Sequence, residues 1–154
     1  MANGPKPGER APDFEARDQN GNTVSLASFL GRPVVLYFYP KDNTPGCTAE
    51  ACSFRDSMDT LRSRGIGVLG VSADSEESHA GFASRYKLNF TLLSDRGKSI
   101  VRAYGVESPF GTAERVTYII GPDGIIKYVF PRVNTKTHAA DVLKKIEELG
   151  LASP

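Results

Sequence analysis

The run VVLYFY, residues 34–39, places six apolar and aromatic residues in a row with no polar residue among them. A strand with one wet face alternates, so a run without alternation reads as a strand covered on both faces, and we expect it at the centre of a sheet. Two more apolar segments, IGVLGVSA at 66–73 and TLLSD at 91–95, read as further strands. RVTYII at 115–120 and IIKYVF at 125–130 are joined by Gly121-Pro122-Asp123-Gly124, the strongest hairpin signal in the chain. Between the strands lie helical patterns. Cys47, Ala51, Phe54, Met58 and Leu61 recur at three- and four-residue steps up to Gly65. Asp74 with Glu77 resembles a capping box for a helix whose apolar side carries His79, Phe82, Ala83 and Tyr86. A short helix over 97–104 is stopped by Gly105, and a last one from about Thr135 presents Ala139, Val142, Leu143, Ile146 and Leu149 on one side. Ahead of all this, 1–12 is an extended, Gly- and Pro-rich lead-in, and Asn20-Gly21 turns into a short strand followed by the helical turn ASFLG.

The order β-α-β-α-β-hairpin-α predicts an α/β fold, a central mixed sheet flanked by helices on both faces. It resembles the order of thioredoxin-like folds. At 154 residues the chain fits one domain over its whole length, 1–154, large enough to bury roughly 70% of its unfolded surface.

Nineteen Lys plus Arg against eighteen Asp plus Glu leave a net charge of +1, so no global field draws in nucleic acid or an anionic membrane. A small or neutral substrate is the natural expectation. The N-terminal MANGPKPGERAPDF lacks the apolar core of a signal peptide, and no later run reaches membrane-spanning length. We therefore expect a soluble, cytoplasmic protein. Two cysteines are too few for a secreted disulfide scaffold, so a disulfide here would be catalytic or redox-sensing.

Both cysteines fall in YFYPKDNTPGCTAEAC, residues 37–52. Cys47 belongs to the first turn of its helix, among amides with no intrahelical acceptor and at the positive end of the dipole; such a place favours thiolate, the nucleophilic form. A small buried apolar residue is the alternative reading of a free cysteine. Cys52 lies five residues on. In an intact helix that is about 7.5 Å of rise and some 140° of rotation, with α-carbons roughly 8 to 9 Å apart. A disulfide needs them within about 6.8 Å, so bonding these two requires the first turns to unravel. Zinc held by two Cys and two His is poorly supported, because His79 and His138 sit at no finger-like spacing.

PKDNTPGC, 40–47, matches the Pro-x-x-x-Thr-x-x-Cys signature of peroxiredoxins. The longer YFYPKDNTPGCTAEACSFRD resembles the peroxiredoxin Q, or bacterioferritin comigratory protein, subfamily, and the likeness extends over nearly the whole chain. The resemblance implies a thiol-dependent peroxidase acting on hydrogen peroxide and alkyl hydroperoxides, serving antioxidant defence, with no metal, flavin or haem. Cys47 would be the peroxidatic cysteine and Cys52 the resolving one. Thr44 would hydrogen-bond the peroxide and the thiolate, Pro40 would shield the pocket, and Arg115 would be the active-site arginine. Glu50 would order the arginine. An intramolecular Cys47–Cys52 disulfide would be reduced by thioredoxin or a similar dithiol. No cysteine follows Cys52, so no second subunit is needed and a monomer is expected.

Physically, the displacement builds negative charge on the departing oxygen, so donors fixed in advance lower the barrier. His79 and His138 are expected to be ordinary, partly exposed helix residues, and Phe110 to wall the pocket or simply to pack. Two other functions compete: a thioredoxin-type disulfide oxidoreductase, disfavoured by Cys-x4-Cys and by a Thr44 without purpose, and a redox sensor in which oxidation remodels the helix.

Overall fold

A computed structural model describes residues 4–152. Seven strands form one mixed sheet in the order β2-β1-β5-β4-β3-β6-β7. Their bounds are β1 Glu15–Asp18, β2 Thr23–Ser25, β3 Val34–Phe38, β4 Gly67–Ser72, β5 Thr91–Ser94, β6 Val116–Ile120 and β7 Ile126–Phe130. The helices are α1 Pro45–Ser63, α2 Glu76–Tyr86, α3 Ser99–Ala103 and α4 His138–Glu148, with a 3-10 turn at Leu26–Phe29. β3, β4 and β5 run parallel, and the remaining pairs are antiparallel.

The VVLYFY run is an interior strand, as its lack of alternation requires. β4 rather than β3 takes the middle position, because β1 and β2 add on the β5 side. Val34, Leu36 and Phe38 point into one core with Val101, Tyr104 and Tyr118; Val35, Tyr37 and Tyr39 point into the other with Phe54, Leu61, Phe82 and Val142. α1, α2 and α4 cover the second face, and α3 with the 3-10 turn covers the first. The thioredoxin-like arrangement is thus set by a strand that must be dry on both sides.

Local differences from the sequence reading have local causes. β1, EARD, carries charge and has only its last residue buried, so apolar pattern alone gives it no signal. α2 begins one residue later than its capping box suggested: Ser75 is the cap and accepts from the Ser78 amide, while Asp74 is engaged elsewhere. α4 starts at His138 rather than about Thr135. The lead-in is tied down along the β6–β7 hairpin by Gly8 N–H to Ile126 O and Ala11 N–H to Gly124 O.

Candidate active site around Cys47

β3 delivers the chain to one end of the sheet, and a short loop, 39–44, turns it into α1. Asn43 takes a left-handed backbone, φ 64°, which its short polar side chain tolerates. Thr44 is the cap residue, Pro45 opens the helix where a missing N–H costs nothing, and Cys47 completes the first turn. Cys47 is buried, 1% exposed, while Cys52 is half-buried farther along the same unbroken helix; both thiols are free.

Arg115 immediately precedes β6, and the β3–β6 register pairs Val116 with Phe38. That pairing sets Arg115 beside the end of β3, where α1 starts. Its Nη2 donates to Cys47 Sγ at 3.3 Å and its Nη1 to Glu50 Oε1 at 2.7 Å. One guanidinium therefore spans the thiol and the carboxylate one helical turn beyond it. Gly46 makes room: a Cβ there would lie 3.1 Å from Arg115 Nη2. Pro40 is half-buried at the mouth of the loop. Thr44 Oγ1 donates to Lys41 O at 2.8 Å, so in this orientation its oxygen offers lone pairs to a substrate rather than a hydrogen. Donors toward a developing negative charge are the guanidinium and the first-turn amides.

Behind Arg115 the surroundings are dry. Burial pushes the Glu50 carboxyl from 4.5 to about 7, and the charge and hydrogen bond of Arg115 only partly offset it. Glu50 Oε2 is buried without a hydrogen-bond partner. His138 Nε2 lies 3.8 Å from that oxygen and 2.7 Å from Thr117 Oγ1. Burial, with a smaller push from Arg115, takes His138 down to about 4, Asp141 opposing; at neutral pH the 3.8 Å approach is therefore not an ion pair.

The sequence reading placed Cys47, Glu50, Arg115, Thr44 and Pro40 at one site, and all five lie around the start of α1. It misjudged both histidines: His79 is 0% and His138 1% exposed. Their signal was present, since each shares the apolar stripe of its helix. A buried imidazole on such a stripe needs partners. Phe110 is 91% exposed and so neither walls a pocket nor packs in the core. A cavity of about 460 Å³ lined by Arg10, Leu26, Leu30 and Gly124 lies at the opposite end of the sheet from Cys47. No helix among the described residues is long and apolar enough to cross a membrane.

Comparison with known proteins places the chain in a family and a fold. Residues 7–129 match the pattern of the AhpC/TSA family. The chain is 46% identical over 145 residues to "Peroxiredoxin Q, chloroplastic" of Triticum aestivum, covering 92% of this chain and 67% of that one. Its fold superposes on that of peroxidoxin BcpB from Mycobacterium tuberculosis with a TM-score of 0.87 at 32% identity, covering 94% of this chain and 98% of the other. A structure of Xanthomonas campestris bacterioferritin comigratory protein, from work on its alkyl peroxide reduction activity, gives a TM-score of 0.86 at 30% identity over 94% of this chain and 99% of that one.

Proposed function

This chain belongs to the AhpC/TSA family, and from that premise we infer that it is a thiol-dependent peroxidase of the peroxiredoxin Q kind, with Cys47 as the attacking sulfur. The observation that carries the assignment of Cys47 is the Arg115 guanidinium, 3.3 Å from its sulfur at the first turn of α1. The Cys47 thiolate attacks the terminal oxygen of a hydroperoxide; the O–O bond breaks as the S–O bond forms, leaving a sulfenic acid and an alkoxide or hydroxide that takes a proton to become alcohol or water. Arg115 and the first-turn amides stabilise the charge that develops, and Thr44 accepts from the peroxide O–H. Pro40 limits water at the loop, and Glu50 fixes the plane of the guanidinium.

Cys52 then displaces water from the sulfenic acid to form the Cys47–Cys52 disulfide, before further oxidation of Cys47. The intact helix separates the two sulfurs, so this step runs through local unravelling of α1. A dithiol reductant such as thioredoxin returns both thiols and leaves oxidised. All groups come from one chain, which supports a monomer, and the ready cycling between thiol and disulfide suits the reducing cytoplasm.

The test is peroxide consumption with thioredoxin, thioredoxin reductase and NADPH. Cys47→Ser abolishes it; Cys52→Ser gives one fast equivalent and then stalls. Sustained turnover by Cys47→Ser would overturn the assignment, and a wild type that oxidises once and never cycles would favour a redox sensor.

A further inference from the structure

The loop that carries Pro40 and Thr44 is held by a buried polar hub that the peroxidase chemistry has not used. Asp42, 5% exposed, lies between those two residues. Its Oδ1 accepts from Tyr39 Oη at 2.6 Å, and its Oδ2 accepts from Ser78 Oγ at 2.7 Å and lies 2.7 Å from His79 Nδ1. Its amide donates to Asp74 Oδ2 at 2.9 Å. His79 Nε2 is 2.9 Å from Leu93 O; a carbonyl only accepts, so Nε2 carries a hydrogen. A further proton lies between Nδ1 and Oδ2, because two bare lone pairs would repel at 2.7 Å. The imidazole thus spans α2, β5 and the reactive loop, fully dry.

Asp42, Asp74 and His79 each bring a ligand-type atom within 4.8 Å of the others. Asp42 Oδ2 already serves Ser78 and His79, Asp42 Oδ1 serves Tyr39, and Asp74 Oδ2 serves Ser72 and the Asp42 amide, so the cluster reads as a hydrogen-bond hub rather than a cation site. A merely stabilising hub could sit anywhere in the core. This one grips the two-residue neighbourhood of Thr44, and it touches neither Cys47 nor Arg115.

We propose that Asp42 and His79 are positioning residues for peroxide attack. They hold the loop from Pro40 to Thr44 against α2 and β5, so that Thr44 meets the peroxide in the geometry the displacement requires. The nucleophilicity of the sulfur is set separately, by Arg115 and the first turn of α1. The proposal rests on the peroxidase reading and deepens it. It requires that loosening the hub slow the reaction with peroxide while sparing a reaction that needs only a nucleophilic sulfur.

The experiment uses the reduced full chain with Cys52→Ser, so that only Cys47 reacts. Sulfenic acid formation with hydrogen peroxide is followed by rapid quench and mass spectrometry, and Cys47 alkylation by iodoacetamide is measured alongside. Two substitutions split the imidazole: the amide nitrogen of His79→Asn occupies the place of Nδ1 and keeps the bond to Asp42, whereas that of His79→Gln occupies the place of Nε2 and keeps only Leu93. His79→Asn is expected to retain the peroxide rate within about threefold, His79→Gln to lose about tenfold or more, and alkylation to change by less than about twofold in either. Equal peroxide rates in the two variants, or peroxide and alkylation rates falling together, would overturn the proposal. If His79→Gln does not fold, Tyr39→Phe carries the test, since it removes one donor to Asp42 and keeps the ring: a peroxide rate reduced about threefold with alkylation intact supports the proposal, and an unchanged rate sinks it. A Cys52→Ser parent that forms no sulfenic acid would instead overturn the peroxidase reading itself.

Discussion

Glu50 and His138 share a proton account that neither shows alone. Burial raises the Glu50 carboxyl from 4.5 to about 7 in the folded chain and lowers His138 from 6.5 to about 4. A raised carboxyl contributes stability that is present below 4.5 and lost as pH rises through 7, whereas a lowered imidazole contributes stability that is gained as pH rises from 4 through 6.5. Each is of order 3 kcal/mol. Between 4.5 and 6.5 the unfolded pair holds one proton, on His138, and the folded pair also holds one, on Glu50, so the two slopes cancel. Urea unfolding of the reduced protein across this window should show no contribution from the pair. Glu50→Gln should expose a stability that rises with pH, and His138→Asn one that falls. Parallel slopes in the two variants would contradict this assignment.

Arg115 belongs to the same scale. Its two nitrogens reach the sulfur and the carboxylate at once, a fork that the single ammonium of lysine does not reproduce. Arg115→Lys should slow sulfenic acid formation by about 10²-fold in rapid-quench measurements.

At the scale of the element, the proposed cycle makes α1 the part that must move, since the structure holds it as one unbroken helix with both thiols free. Its stripe of Cys47, Ala51, Phe54, Met58 and Leu61 was legible in the sequence because helical periodicity is local, and all five residues are buried. The same helix holds the two cysteines in a relation that forbids a bond between them. Stoichiometric peroxide should therefore reduce the far-ultraviolet helical signal of wild type by roughly one to two turns, while Cys52→Ser, which oxidises but cannot form the disulfide, keeps it. Full helical signal in the disulfide form would show that the cysteines meet by some other route. Unravelling over the first turns would include Glu50, whose orphan Oε2 would then reach water. Other elements were less legible. EARD gives no apolar alternation to read because β1 takes its strand character from neighbours on both sides, Thr23–Ser25 and Leu93 with Ser94. The start of α2 was misplaced because Asp74, a good cap by type, binds the Asp42 amide and Ser72 instead.

At the scale of the molecule, one sheet end gathers what catalysis needs. On the proposed roles, attack, resolution and the fixed donors would all come from one chain, so specific activity should stay constant as the enzyme is diluted from micromolar to nanomolar; a fall on dilution would reveal a contribution from a second subunit.

The sequence by itself determined the strand that had to be dry on both faces, the stripe of α1, and the two cysteines at the helix start, because each depends on spacing within a few residues. It also carried the Pro40-Thr44-Cys47 pattern. Only the tertiary structure decided that Arg115, 68 residues from Cys47, donates to its sulfur, that Glu50 and His138 are dry neighbours, and that Asp42 and His79 grip the reactive loop. These contacts depend on the pairing of Phe38 with Val116 and on which face of the sheet each helix covers. Sheet register and layer choice are settled by burial summed over the whole core, a quantity that no local pattern contains.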